Sequence, residues 1–356
     1  MNDQKQELLV PPTIREEWVD VLKGVLIGFV VIGHCIITLN PADNFQRIVL
    51  VLIYTIHMPM FFILSGYTLK VKKNLIEFIV KKLKTIMAPY LMFVIVDTFI
   101  EYIMGVYSIQ EIFERFLNQY LDIVLITTKS PYSSLWFLPA ICGGIIITFI
   151  IEKLLNKRSK RIFASVILVI IGQIIYMRGI ESYFGVREAL IAQFFILLGF
   201  ELKKIILKLK NNFSAIEILI LLLIWLYAAF EWVRNGHSTI NYWNSDVAPI
   251  VWTFAIAGIA ATVLLATIGF WEKHKGKLFD IFAYLGKNTL YIYGFHYIFL
   301  RVFPNIVTSK INGRISFLVL TILVLVSSLV LTIVYKKSKK TIVRGIIHIF
   351  YATERK

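Results

Sequence analysis

Long apolar runs recur along the whole chain, each close to the ~20 residues that cover roughly 30 Å of hydrocarbon, and none shows the period-two alternation of a membrane-crossing strand. Backbone groups in lipid must pair within their own segment, so the runs predict helices. Ten spans are expected, near 19–39, 45–69, 85–104, 134–152, 162–179, 188–206, 214–234, 247–270, 281–303 and 315–335. No linker, low-complexity tract or soluble appendage interrupts this pattern, and residues 1–356 read as one all-α polytopic membrane domain. A polar stretch precedes the first run, which also lacks a small-residue cleavage site, so that run is expected to remain as a spanning helix.

Composition sharpens this reading. Hydrophobic residues make up 58% of the chain and charged residues only 17%, below the roughly one quarter usual in soluble domains. The net charge of +16 does not indicate nucleic acid, because the bases sit in short clusters between apolar runs and not along an aromatic-interleaved surface. They read as topology signals. Alternate connections carry 28 and 9 Lys and Arg residues respectively, with Lys23 inside the first run, and the richer set should face the cytoplasm. Both termini are therefore expected there. The tail "KKSKKTIVRGIIHIFYATERK" reads equally well as a segment lying on anionic lipid and as a solvated stop-transfer tail. Cys35 and Cys142 both lie in apolar runs, which leaves no disulfide framework, no CxxC site and no expected metal.

Against this background the stretch "WVDVLKGVLIGFVVIGHC", residues 18–35, is unusual. Lys23 and His34 are separated by about 1,100° of helical rotation, within ~20° of three turns, so they share a face about 16 Å apart along the axis. Asp20, one turn before Lys23, joins that face. The stripe begins at the cytoplasmic boundary and ends in the outer half of the membrane. Lys23 with Asp20 reads either as a snorkelling ion pair or as a site for an anionic ligand. His34 is a candidate for function because ionisable groups inside spans are costly. The second run contains "HMPMFFILSGYTLK", with His57 at mid-depth, Pro59 opening the backbone ladder, and Ser65 and Tyr67 at the cytoplasmic end. The ninth contains "LGKNTLYIYGFHYIF", with His296 further outward.

Taken together, "VDVLKGVLIGFVVIGH", "HMPMFFILSGY", "SSLWFLPAI", "AQFFILLGFEL" and "LGKNTLYIYGFHYIF" resemble, in the same order and over essentially the whole chain, the acyltransferase 3 family of membrane O-acyltransferases, and within it fucose 4-O-acetylase-like and enterobacterial-common-antigen acetyltransferases. The family hallmark on the first helix is an arginine, ten residues, then a histidine. Lys23 stands in the arginine's place, preserving charge but not bidentate phosphate recognition. The resemblance implies transfer of an acetyl group from cytoplasmic acetyl-CoA, the expected co-substrate, to a hydroxyl of a cell-envelope polysaccharide or lipid-linked glycan. It also implies a bacterial inner-membrane location. Under that reading Lys23 orients the donor, Asp20 holds Lys23, and neutral His34 is the general base or a covalent acyl relay.

Substrate contacts are expected from His57, Ser65, Tyr67 and His296, with Trp136 of "LWFLP" walling the acceptor or donor tunnel, and sugar contacts at the outer mouth from Arg187, Glu188, Glu231, Asn241 and Trp243. Interfacial aromatic residues and charged helix ends occupy such positions for structural reasons as well. A secondary transporter or lipid-linked-sugar flippase is the rival reading. It would require internal repeats, which the positions of the histidine-bearing runs do not show.

Overall fold

The computed structural model describes residues 16–40, 43–70, 74–105, 108, 110–111, 135–180, 185–235, 247–309 and 316–353. Among them all regular structure is helical. In chain order the helices are α1 (Glu17–Thr38), α2 (Asn44–Tyr67), α3 (Leu75–Lys82), a π turn (Leu83–Met87), α4 (Ala88–Ile103), α5 (Phe137–Leu154), α6 (Arg158–Met177), α7 (Val186–Glu201), α8 (Lys203–Asn211), α9 (Ala215–Arg234), α10 (Val247–Lys273), α11 (Lys277–Lys287), α12 (Thr289–Thr308) and α13 (Ser316–Thr353). The expected all-α polytopic class is what is found.

Eight helical stretches among the described residues are long and apolar enough to cross a membrane. Two expected spans fall outside that set, and both are interrupted. The run at 188–206 breaks at Leu202, leaving a sixteen-residue α7 followed by the basic helix α8. The run at 281–303 breaks at Asn288 into α11 and α12. The cause at Asn288 is visible. Its side-chain amide donates to the Tyr284 carbonyl at 2.8 Å while its Oδ1 accepts from Lys336 at 2.5 Å, so a polar side chain replaces ladder bonds at a buried corner.

Helix starts follow local chemistry. The Asp43 carboxylate accepts from the Gln46 amide at α2, and Asn74 accepts from Ile76 and Glu77 at α3. Ser214 and Glu217 form a reciprocal capping box at α9. Pro89, lacking an amide hydrogen, sits in the first turn of α4, two residues after the end of the π turn, a widening of the ladder that often accompanies functional sites.

Helices in lipid gain little from apolar burial and associate through close packing. Here that packing depends on glycine. A Cβ on Gly24 would lie 1.9 Å from the Phe282 carbonyl oxygen, and one on Gly286 would lie 1.7 Å from that of Asp20. These reciprocal backbone contacts clamp α11 against the first turns of α1. Gly66 and Gly199 make the equivalent contact between α2 and α7, against Ile196 and Ile63. Through the first clamp the end of α11 is held beside the Lys23 end of α1.

Candidate active site inside the helical bundle

Two histidines, from α1 and α12, meet inside the bundle, and a third is buried on α2. His34 Nδ1 and His296 Nε2 are 2.8 Å apart, and the two rings stack with centroids 5.1 Å apart. His296 has no exposed surface, and its Nδ1 lies 2.5 Å from the Tyr293 carbonyl. His57 is buried as well, with Nδ1 2.6 Å from the Ile53 carbonyl and its ring edge-on to Tyr54 at 4.8 Å. Tyr297 packs on both His34 and His296, at 5.3 and 4.6 Å.

Below this cluster lies a cavity of about 330 Å³, within the roughly 300–1,000 Å³ typical of small-molecule sites. On α1 its lining follows Lys23, Ile27 and Val30. This is the stripe that ends, one turn later, at His34. α2 contributes Met58, Phe61 and Ser65, the π turn Ile86, and α5 Phe137, Leu138 and Ile141. Gly286, Lys287, Thr289, Leu290 and Tyr293 complete the wall. The walls are mostly apolar, with Lys23 and Lys287 in the lining together with Tyr293, the residue whose carbonyl holds His296.

Other expected site residues are distributed around this core. Asp20 is 2% exposed, its backbone pressed against Gly286. Tyr67 donates to the Glu16 carboxylate at 2.7 Å, beneath the cavity and outside its lining. Trp136 stands next to the lining, edge-on to Phe137 at 6.2 Å; Phe137 forms the wall and also touches Phe62 and Tyr293. Arg187 pairs with Glu188 and covers Tyr176, and Glu231 pairs with Arg234 at 3.1 Å. These two pairs lie at helix ends away from the lysines. Asn241 and Trp243 lie outside the described residues.

Some contacts escape sequence reading. Lys287 stands inside a quoted motif but signals its role only once Gly286 fixes α11 against α1. Arg301 bridges Asp97 and Glu101 at 2.9 and 2.7 Å. That α4–α12 cluster neutralises an arginine which alone in a span costs about 2.5–3.5 kcal/mol. Its members are 204 and 200 residues apart in sequence, so no local pattern marks them.

The fold and site together define a polytopic helical membrane protein with a buried histidine pair and, one helical turn away on α1, a mostly apolar cavity with lysines among its lining residues. Residues 16–335 match the acyltransferase 3 family, described as an acyltransferase domain, and the chain belongs to that family. It is a membrane acyltransferase, which requires an acyl donor and an acceptor substrate; the transporter reading has no support. No curated protein matches the chain, and no solved structure does.

Proposed function

We propose that the chain transfers an acetyl group from acetyl-CoA, bound from the lysine-rich face, to a hydroxyl of a cell-envelope polysaccharide or lipid-linked glycan arriving from the opposite side of a bacterial inner membrane. The observation that carries this reading is the cavity running from Lys23 and Lys287 along Ile27 and Val30 to one turn below His34. Its two ends suit the two parts of the donor. Lysines at the mouth attract the CoA phosphates, and the apolar walls accept the uncharged pantetheine arm. Lys23 lies about 16 Å along the axis from His34, too far to touch the reacting carbon, so its role is to hold the donor.

At the inner end His34 takes the proton of the acceptor hydroxyl as its oxygen attacks the thioester carbonyl. The tetrahedral intermediate then collapses with cleavage of the C–S bond, and the thiolate receives the proton from His34. One ester bond forms and one thioester bond breaks. The proton moves from the hydroxyl oxygen to sulfur, so no external acid or base is consumed. His57 belongs to the inner region with His34, Ser65 lines the cavity and Tyr67 stands at its lysine end, whereas Arg187, Glu188, Glu231, Asn241 and Trp243 are assigned to the approach of the glycan.

Binding of acetyl-CoA to detergent-purified protein tests the donor half. A charge-assisted contact is worth about 1.5–3 kcal/mol, so Lys23→Ala should weaken binding about 10–100-fold while Lys23→Arg stays near the parent value. Folded parent protein that does not bind acetyl-CoA would refute the proposal. Equal affinity in parent and Lys23→Ala would remove Lys23 from the donor site.

A further inference from the structure

We infer that His296 is a positioning residue that fixes the tautomer of His34, leaving His34 Nε2 as the atom that takes the acceptor's proton. The inference rests on the proposed role of His34 and adds to it which nitrogen works and what holds it.

The bonds read outward from a backbone group whose role is not adjustable. A carbonyl oxygen only accepts, so at 2.5 Å from the Tyr293 oxygen His296 Nδ1 must carry a hydrogen. A neutral imidazole carries one such hydrogen, so His296 Nε2 is a bare acceptor. It faces His34 Nδ1 at 2.8 Å, and that nitrogen must therefore be the donor. His34 Nε2 is left with its lone pair, and among the described residues no hydrogen bond engages it. The opposite tautomer would set two lone pairs against each other, or place a full charge on His296, a ring with no exposed surface.

The chain of acceptors also supports the charged state of His34 during turnover. When Nε2 gains a proton, the bond from Nδ1 to His296 persists and strengthens, because its donor is now cationic. Carbonyl, His296 and His34 thus act as an orienting series, comparable in logic to a buried group holding a catalytic imidazole in one tautomer. Packing keeps the series in register. Tyr297 lies against both rings, and Tyr293 supplies the anchoring carbonyl while its side chain meets Phe137 at 5.6 Å. With both ring nitrogens engaged within the protein, His296 is better placed to hold His34 than to bind substrate, the role the sequence suggested for it.

The tautomer can be measured directly by nitrogen NMR on purified, reconstituted protein labelled with 15N-histidine, with His34 assigned by difference from His34→Gln. His34 should show a protonated Nδ1 and a bare Nε2 at neutral pH. His296→Leu should abolish that preference and lower kcat roughly 10–100-fold, the usual effect of losing such a supporting partner, without changing the KM for acetyl-CoA. His296→Gln keeps a carbonyl acceptor near the Nε2 position and should retain much of both. A protonated Nε2 on His34 in the parent protein overturns the inference whatever the variants do. So does an unchanged tautomer in folded His296→Leu. Normal transfer by His34→Ala would instead overturn the assigned role of His34, while the measured tautomer would still report the pairing.

Discussion

His34→Ala should insert and fold like the parent and transfer acetyl groups roughly 10²–10⁴-fold more slowly, the range expected when a positioned acid–base group is lost. The substitution is a clean one. His34 is only partly buried and, among the described residues, its hydrogen-bond partner is His296, which keeps its bond to the Tyr293 carbonyl when His34 is gone. Acetyl-CoA binding should be nearly unchanged, because His34 is not among the residues that line the cavity. Reduced kcat with intact donor affinity is the signature. A parallel loss of donor affinity and thermal stability would identify His34 as a packing residue.

The second large effect concerns the clamp between α1 and α11. Gly286→Val should lower the yield of folded protein severely, and Gly286→Ala should lower thermal stability and weaken acetyl-CoA binding together. The atom that a new Cβ meets at 1.7 Å is the backbone oxygen of Asp20, which cannot swing aside as a side chain would. Relief requires α11 to move away from α1. Overpacking of this kind costs about 1–3 kcal/mol and sometimes more, and it would carry Lys287 away from the cavity mouth. Gly28, four residues from Gly24 on the same helix, provides the comparison, since a Cβ there meets nothing within 4 Å. Gly28→Ala should leave melting temperature and binding untouched. Equal behaviour of the Gly28 and Gly286 alanine variants would show that the clamp does not hold the mouth together.

Much of the architecture is legible from hydrophobic runs, because lipid admits few alternatives to a helix. The stripe Lys23, Ile27, Val30 and His34 is likewise readable, since it depends on helical rotation alone. Two kinds of feature were not. The breaks at Leu202 and Asn288 fall beside Glu201, Lys203 and Lys287, charged residues that helix ends in lipid also carry, and Asn288 is held by a bond from Lys336, 48 residues later. The pairing of His34 with His296 spans 262 residues. Depth in the membrane can be counted from each helix end, but which helices are neighbours, and how each is rotated, follows from glycine contacts that no single run encodes. The same holds for Arg301 with Asp97 and Glu101.

The route itself is tested most directly in oriented proteoliposomes. The side facing the His34 end is loaded with unacylated envelope glycan extracted from a strain lacking this protein, and acetyl-CoA carrying a labelled acetyl group is supplied to one face at a time. Label should appear in glycan esters when the donor is on the Lys23 face, and not when the donor is confined with the glycan. Transfer that is equal from either face, or that requires both substrates on the Lys23 face, would contradict a donor path from Lys23 to His34.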